Sequence, residues 1–154
     1  MLFSGRKHHS SAKVLEQHAD TVENILASLN VNLDEARLST EQGFGWSFRR
    51  GTAIIEVYIS EHEGDGYLQV LAPIIVIPEN GLLPLYRRLL ELNLQLTNAS
   101  LGIYLDVVYV FSERPLQGLE SVEADAIIKM VAEYADDLDN NLVSEFGGRL
   151  YSQV

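Results

Sequence analysis

The amino-acid sequence predicts a single α+β domain with a five-stranded antiparallel sheet and three helices. A length of 154 residues fits one domain, three separate blocks have helical periodicity, and the segments between them alternate apolar with polar residues. Turn signals join the strands within each block, which is typical of antiparallel sheets and not of alternating α/β units. The predicted order is α-β-β-β-α-β-β-α, with residues 1–10 as a flexible N-terminus and residues 11–150 as the domain.

The first helix is predicted over residues 11–29, where Ser10 or Ser11 is placed to cap the N-terminus. Its apolar residues recur at intervals of three and four, as expected of an amphipathic helix. They are Leu15, Ala19, Val22, Leu26 and Leu29.

Three strands are predicted next, over residues 46–48, 53–60 and 67–78. Gly51 marks the first turn, and Asp65-Gly66 predicts the second as a hairpin signal. Pro73 lies inside the third strand and cannot donate to the ladder. We therefore expect a bulge there, or a position where the strand's N–H faces no neighbour.

The rest of the chain is predicted as helix, hairpin and helix. The second helix covers residues 82–96, with Pro84 tolerated in its first turn. The hairpin follows over residues 100–111 with its turn near Asp106. The last helix runs from about residue 120 to residue 146 and is closed by Gly147-Gly148.

Composition excludes several classes of function. The chain has no cysteine, so it has no disulfide and no thiolate metal site. A net charge of −11 argues against nucleic-acid binding, and no apolar run is long enough to span a membrane. We expect a cytoplasmic protein. Residues 120–145 contain eight acids against the single base Lys129, which favours a solvated helix face or a surface suited to basic partners.

The helix over residues 82–96 is apolar around an unusually wide arc. At 100° per residue its apolar side chains cover about 200°, whereas packing on a sheet needs a stripe somewhat over ~100°. Part of this surface should therefore meet the last helix, another subunit or a bound peptide. The candidate interface residues are Leu83, Leu90 and Leu94, at the edge of the arc beside Arg87. Burial against the protein's own helices is the alternative.

Asn93 falls at the centre of this arc, which predicts a buried polar residue with a structural role. Its amide is within reach of the free carbonyls at the helix end or of the loop before Ser100. We hypothesise that a buried amide, which must be satisfied, fixes the register of helix against sheet. The alternative is a contact with a ligand or partner.

The element order, the helix LPLYRRLLELN leading into NASLGIYLDVVYVFSERPL, and the acidic last helix together resemble the YbjN-like family. Members of that family are described as regulators of sensory transduction and share the fold of the class I type III secretion chaperones. The resemblance covers nearly the whole chain after residue 10. It implies a three-helix, five-stranded domain that binds other proteins, is often dimeric in the chaperone branch, and has no known catalytic residue.

No motif in the sequence indicates a reaction or a cofactor. The segment Glu61–Asp65 combines acids with His62, but its spacing fits neither a calcium loop nor a paired-histidine zinc motif. The leading hypothesis is a non-catalytic protein-binding module of chaperone-like or regulatory type, with a protein partner and with homodimer formation open. The alternative is a small-molecule sensor or minor hydrolase using a pocket between the sheet and the last helix, lined by Tyr134 and Trp46.

Overall fold

The computed structural model describes residues 12–154, in which four α-helices and seven strands are present. In chain order they are α1 (Ala12–Ser28), α2 (Leu33–Ala36), β1 (Arg37–Leu38), β2 (Phe44–Arg50), β3 (Ala53–His62), β4 (Asp65–Val76), α3 (Leu82–Asn93), β5 (Ser100–Tyr104), β6 (Val107–Pro115), α4 (Ser121–Phe146) and β7 (Arg149–Leu150), followed by a 3-10 turn at Tyr151–Gln153. The N-terminus that we predicted to be flexible and the predicted serine cap lie outside the described residues.

The strands form one antiparallel sheet in the order β1-β2-β3-β4-β6-β5, and β7 pairs with β4 beside this path. The α+β prediction is confirmed, and the five predicted strands are β2 to β6. The predicted count of five strands and three helices is too low. Sequence periodicity missed α2, β1 and β7 because two to four residues are too few to show a period.

The turn between β3 and β4 differs from the predicted one. It is formed by Glu63 and Gly64, both with positive φ (53° and 88°), so that His62 pairs with Asp65. Two successive left-handed residues match the twist of a two-residue hairpin. The Asp65-Gly66 signal was therefore misread by two residues, and both of these residues lie in β4.

Pro73 and Gly148 shape the end of β4. The register between β4 and β6 shifts between Pro73 and Ile75, which confirms the bulge predicted at the proline. Beyond the bulge, Ile75 and Val76 pair with β7. Gly148, at φ 85°, brings β7 there, and a Cβ on it would lie 2.4 Å from the carbonyl oxygen of Val76.

The core lies between one face of the sheet and the helices. β3 alternates buried with half-buried side chains, and α4 packs across β3, β4 and β6, with α1 beside it. α3 packs against β5 at the end of the sheet. This places α3 at the margin of the fold, where one of its faces is exposed.

Candidate functional site

The α3 helix has one buried face and one exposed face, although both are apolar. Leu85, Leu89 and Leu92 are buried in the core. The helix ends at Asn93 rather than at the predicted residue 96. The wide apolar arc seen in the sequence is thus divided, and only part of it is covered by the fold.

The exposed part is the leucine stripe, which we define as Leu83, Leu90 and Leu94 with Arg87 among them. The three leucine residues are 79%, 69% and 89% exposed. At 100° per residue the four positions fall within about 60° of one another on the helix surface. The alternative prediction was that the protein's own helices bury these leucines. Their exposure contradicts it.

Arg87 adds a cation to the stripe. Its Nε lies 2.8 Å from Glu91 Oε1, one helical turn further along, and both side chains are largely exposed. The hydrogen bond that Arg87 donates to the Glu91 carboxylate raises the pKa of Arg87. An exposed i,i+4 pair of this kind is weak because water screens it, so the stem and the charge of Arg87 remain available to a neighbouring molecule.

Two more exposed apolar side chains lie at the end of β5 and in the turn that follows it. Tyr104 is 67% and Leu105 is 79% exposed. Leu82, at the start of α3, and Asp106, in this turn, line the same open cleft. Our sequence reading did not select these residues. The sequence did contain a signal for them, which is an apolar pair at a two-residue turn. Such a turn leaves its side chains exposed.

Asn93 was predicted to be buried, but it lies at the boundary between the two faces of α3 and is only half-buried. Its Oδ1 accepts a hydrogen bond from the Leu101 N–H at 2.7 Å, and its Nδ2 donates to the Leu101 carbonyl at 3.3 Å. Both ends of the amide are therefore satisfied by one residue of β5. We expected a partner at the helix end or in the loop before Ser100, and the partner is instead in the strand. The register hypothesis remains a prediction.

The structure does not bring Tyr134 and Trp46 together. The Tyr134 hydroxyl accepts a hydrogen bond from the Thr97 N–H beyond α3, near the β5 end of the sheet. Trp46 is 1% exposed on β2, toward the opposite end, and its indole N–H donates to Glu23. The two side chains therefore do not line a common pocket between the sheet and α4.

Glu23 ties α1 to the start of the sheet. Its Oε1 accepts from Arg37 Nε at 2.7 Å and from Trp46 Nε1 at 3.2 Å, and its Oε2 accepts from Arg37 Nη2 at 3.0 Å. The Arg37 hydrogen bond, first of all, holds the pKa of Glu23 below its ordinary value. The arrangement satisfies the indole N–H of the buried Trp46 and links α1 to β2.

A second polar cluster joins the β2–β3 turn to α4. Thr52 Oγ1 donates to Asp139 Oδ2 at 2.6 Å, and the Thr52 N–H donates to Asp136 Oδ1 at 3.1 Å. Asp139 is 1% exposed, and burial raises the pKa of its carboxyl although hydrogen bonds from Thr52 and Asn140 act the other way. Gly51 permits this close approach, since a Cβ on it would lie 2.0 Å from Asp136 Oδ1. Nothing in the sequence pattern indicated this cluster.

The acidic helix α4 is only partly paired. Lys129 Nζ lies 2.9 Å from Asp125, and Arg114 Nε lies 2.8 Å from Glu123. Among residues 12–154, no group of three or more His, Asp or Glu side chains is placed to hold a metal ion. Within the same residues, no helix is long and apolar enough to cross a membrane.

The antiparallel sheet, with α1 and α4 packed on it and α3 against β5, defines a single α+β domain. Two solved structures share this fold. A chain from "Crystal Structure of the ExsC-ExsE Complex" matches with a TM-score of 0.61 at 13% identity, covering 83% of this chain and 95% of that one. A chain from "Structure of the HopA1-SchA Chaperone-Effector Complex" matches with a TM-score of 0.60 at 10% identity, covering 85% and 99%.

The family follows from the sequence match. Residues 18–143 match the model of the YbjN family, which is described as "Putative bacterial sensory transduction regulator". The chain belongs to this family, and the resemblance drawn from the sequence is confirmed. No curated protein matches the chain.

Proposed function

We propose that this chain is a non-catalytic protein-binding module of chaperone-like or regulatory type that docks proteins on the leucine stripe. The observation that carries the proposal is the exposure of Leu83, Leu90 and Leu94 on one face of a single helix. Contiguous exposed apolar surface is uncommon on monomeric proteins and marks interaction sites. The solved structures of similar fold are complexes with partner proteins by their titles, which supports the same class of role.

A second copy of the chain is the occupant that fits the stripe best. In a two-fold, antiparallel pairing of α3 with α3, Leu83 of one copy lies opposite Leu94 of the other, and Arg87 lies opposite Leu90. Each leucine then has an apolar neighbour, since the arginine stem is itself apolar. Such a self-complementary arrangement is what a two-fold dimer requires.

Charge also favours this face. The chain carries −11 overall, so two copies repel each other through most of their surface. On α3 the charged residues are Arg87, Arg88 and Glu91, a local balance of +1. Approach through α3 therefore costs less repulsion than approach through the acidic α4.

The test is a double variant, Leu90→Glu with Leu94→Glu, studied by sedimentation over a concentration series. Both side chains are exposed, so we expect the free energy of unfolding, measured in urea, to stay within about 0.5 kcal/mol of the wild-type value. We expect self-association to weaken by tenfold or more. The carboxylate at position 94 would lie against the apolar Leu83 of the other copy, and each copy would gain two negative charges on an already acidic surface.

Val122→Glu is the matched control. Val122 is 77% exposed on α4, so this variant makes the same kind of change on a different surface and should leave association unchanged. A wild-type protein that stays monomeric at every concentration would overturn the α3 dimer. Loss of folding in the double variant would mean that these leucines are core residues.

A further inference from the structure

The two edges of the sheet are protected in different ways. At one end β2 is partly covered by β1, and its last residues are the exposed Arg49 and Arg50. Charged side chains on an edge strand discourage pairing with another chain. At the other end, β5 has the sequence SLGIY without a single charge. An uncharged edge of this kind needs protection from another source.

The outward backbone groups of β5 belong to Leu101 and Ile103. β5 and β6 are joined by the two-residue turn Leu105-Asp106, so Tyr104 and Val107 form the closing hydrogen-bonded pair. Ladder bonds alternate along an antiparallel pair, which turns Ser100, Gly102 and Tyr104 toward β6. The N–H and C=O groups of the two residues between them therefore point away from the sheet.

Asn93 occupies one of these two positions completely. Its carboxamide pairs with both the N–H and the C=O of Leu101, at 2.7 Å and 3.3 Å, as the backbone of a neighbouring strand would. The side chain comes from the last residue of α3, which packs along β5. A polar amide is thus held at the one place where it can act as a substitute for a strand.

We propose that Asn93 is an edge guard, whose amide fills the pairing site on β5 that the β5 strand of a second copy would otherwise take. Two β5 strands related by a two-fold axis through Gly102 would pair antiparallel, with Leu101 of each copy opposite Ile103 of the other. Every hydrogen-bonded pair in that arrangement contains one Leu101. A guard on Leu101 in both copies therefore removes all the bonds of the pairing, although it covers only one residue of the edge.

A second copy of the chain is the partner that this pairing would involve, because the two β5 strands can pair with each other without any other protein. β5 is short and uncharged, so it meets no repulsion from its own symmetry mate, and isologous pairing needs only self-complementarity. The guard leaves the leucine stripe untouched, since Asn93 turns toward the strand. It therefore excludes strand addition as a mode of association while leaving docking on the helix open.

The test replaces the amide in two ways. Asn93→Ala removes both hydrogen bonds and opens the edge, so we expect self-association to strengthen by tenfold or more in sedimentation experiments. Asn93→Asp keeps an oxygen facing the Leu101 N–H and adds a charge to the edge, so it should not strengthen association. Adding Ile103→Lys to Asn93→Ala should restore the wild-type association state, because Ile103 is 39% exposed and a lysine there protects the edge by charge.

Each of these proteins is also measured with Leu90→Glu and Leu94→Glu in place, so that docking on the stripe does not contribute. If docking on the leucine stripe proves wrong, the edge-guard proposal is still tested by these proteins. If the edge guard proves wrong, the proposal for the stripe is unaffected. Unchanged association in Asn93→Ala overturns the proposal, as does association that Ile103→Lys fails to reverse.

Amide exchange in the wild type provides a test that needs no variant. The Leu101 amide donates to Asn93, so its exchange should be slower than that of the outward Ile103 amide by about tenfold, the effect of one hydrogen bond. Equal, fast exchange at the two positions would show that the guard is not closed, and would overturn the proposal even if Asn93→Ala failed to fold.

Discussion

Burial and hydrogen bonding act in opposite directions on Asp139. Its carboxyl is buried in α4 and accepts from Thr52 and Asn140, yet burial dominates and raises its pKa. The folded protein therefore binds this proton more tightly than the unfolded chain does. Its contribution to stability is fully present below the unfolded pKa, about 3.9, and is lost as the pH rises through the raised folded value.

The prediction at this position is that Asp139→Asn removes that pH dependence. An asparagine can turn its oxygen toward the Asn140 donors and its NH2 group toward Thr52, whose hydroxyl is then free to donate to Asp136. In urea unfolding, the variant should therefore gain stability relative to the wild type as the pH is raised from about 4 to about 7.

Asp137→Asn is the matched control for this change, because Asp137 is exposed on the same helix and loses the same charge. We expect it to remain within about 0.5 kcal/mol of the wild type across that pH range. A stability difference for Asp139→Asn that does not vary with pH would contradict the assignment.

At the scale of elements, periodicity predicted the long helices and strands and missed the short ones. The three long helices and the strands β3, β4 and β6 each bury a repeating face, and that repeat is visible in the residue pattern. Asn93 shows the limit of the method. Its angular position indicated burial, but the pairing with Leu101 depends on β5 lying beside α3, and no local pattern encodes that contact. The leucine stripe was visible in the sequence as excess apolar surface, whereas its exposure required the fold.

The pairing of β7 depends on the glycine that precedes it, Gly148. β7 pairs with β4 because Gly148 adopts φ 85° and passes close to the Val76 carbonyl. We predict that Gly148→Ala lowers the free energy of unfolding by about 3 kcal/mol. The alanine would be strained in the left-handed region, and its Cβ would also clash with backbone atoms that cannot move aside. Urea unfolding gives the cost, and amide exchange at Leu150 shows whether the pairing has been lost.

Gly118→Ala separates the two causes. Gly118 has a similar φ of 74°, but nothing lies within 4 Å of the position that its Cβ would take. It should cost only about 1 kcal/mol, the strain alone. Equal costs at the two glycines would mean that the approach to Val76 does not constrain the chain.

At the scale of the whole molecule, net charge opposes the association that the apolar surface favours. Two copies carry −11 each, while the leucine stripe is a small, slightly basic area on an acidic body. The Debye length falls from about 30 Å at 0.01 M salt to about 8 Å at 0.15 M, so salt screens the repulsion between the bodies far more than it weakens apolar contacts within the interface.

We therefore predict that self-association through α3 strengthens with salt. Between 0.01 M and 0.15 M sodium chloride, we expect the dimer dissociation constant to fall by about tenfold, as repulsion between like-charged bodies is screened. Sedimentation equilibrium at both salt concentrations measures it.

A basic partner bound to the acidic α4 would show the opposite trend, because salt screens attraction as well. The single variant Leu94→Glu should weaken the salt-promoted dimer, since Leu94 is the most exposed leucine of the stripe and the added acid would lie against Leu83 of the other copy. A dimer that weakens with salt would place the contact on oppositely charged surfaces and not on α3.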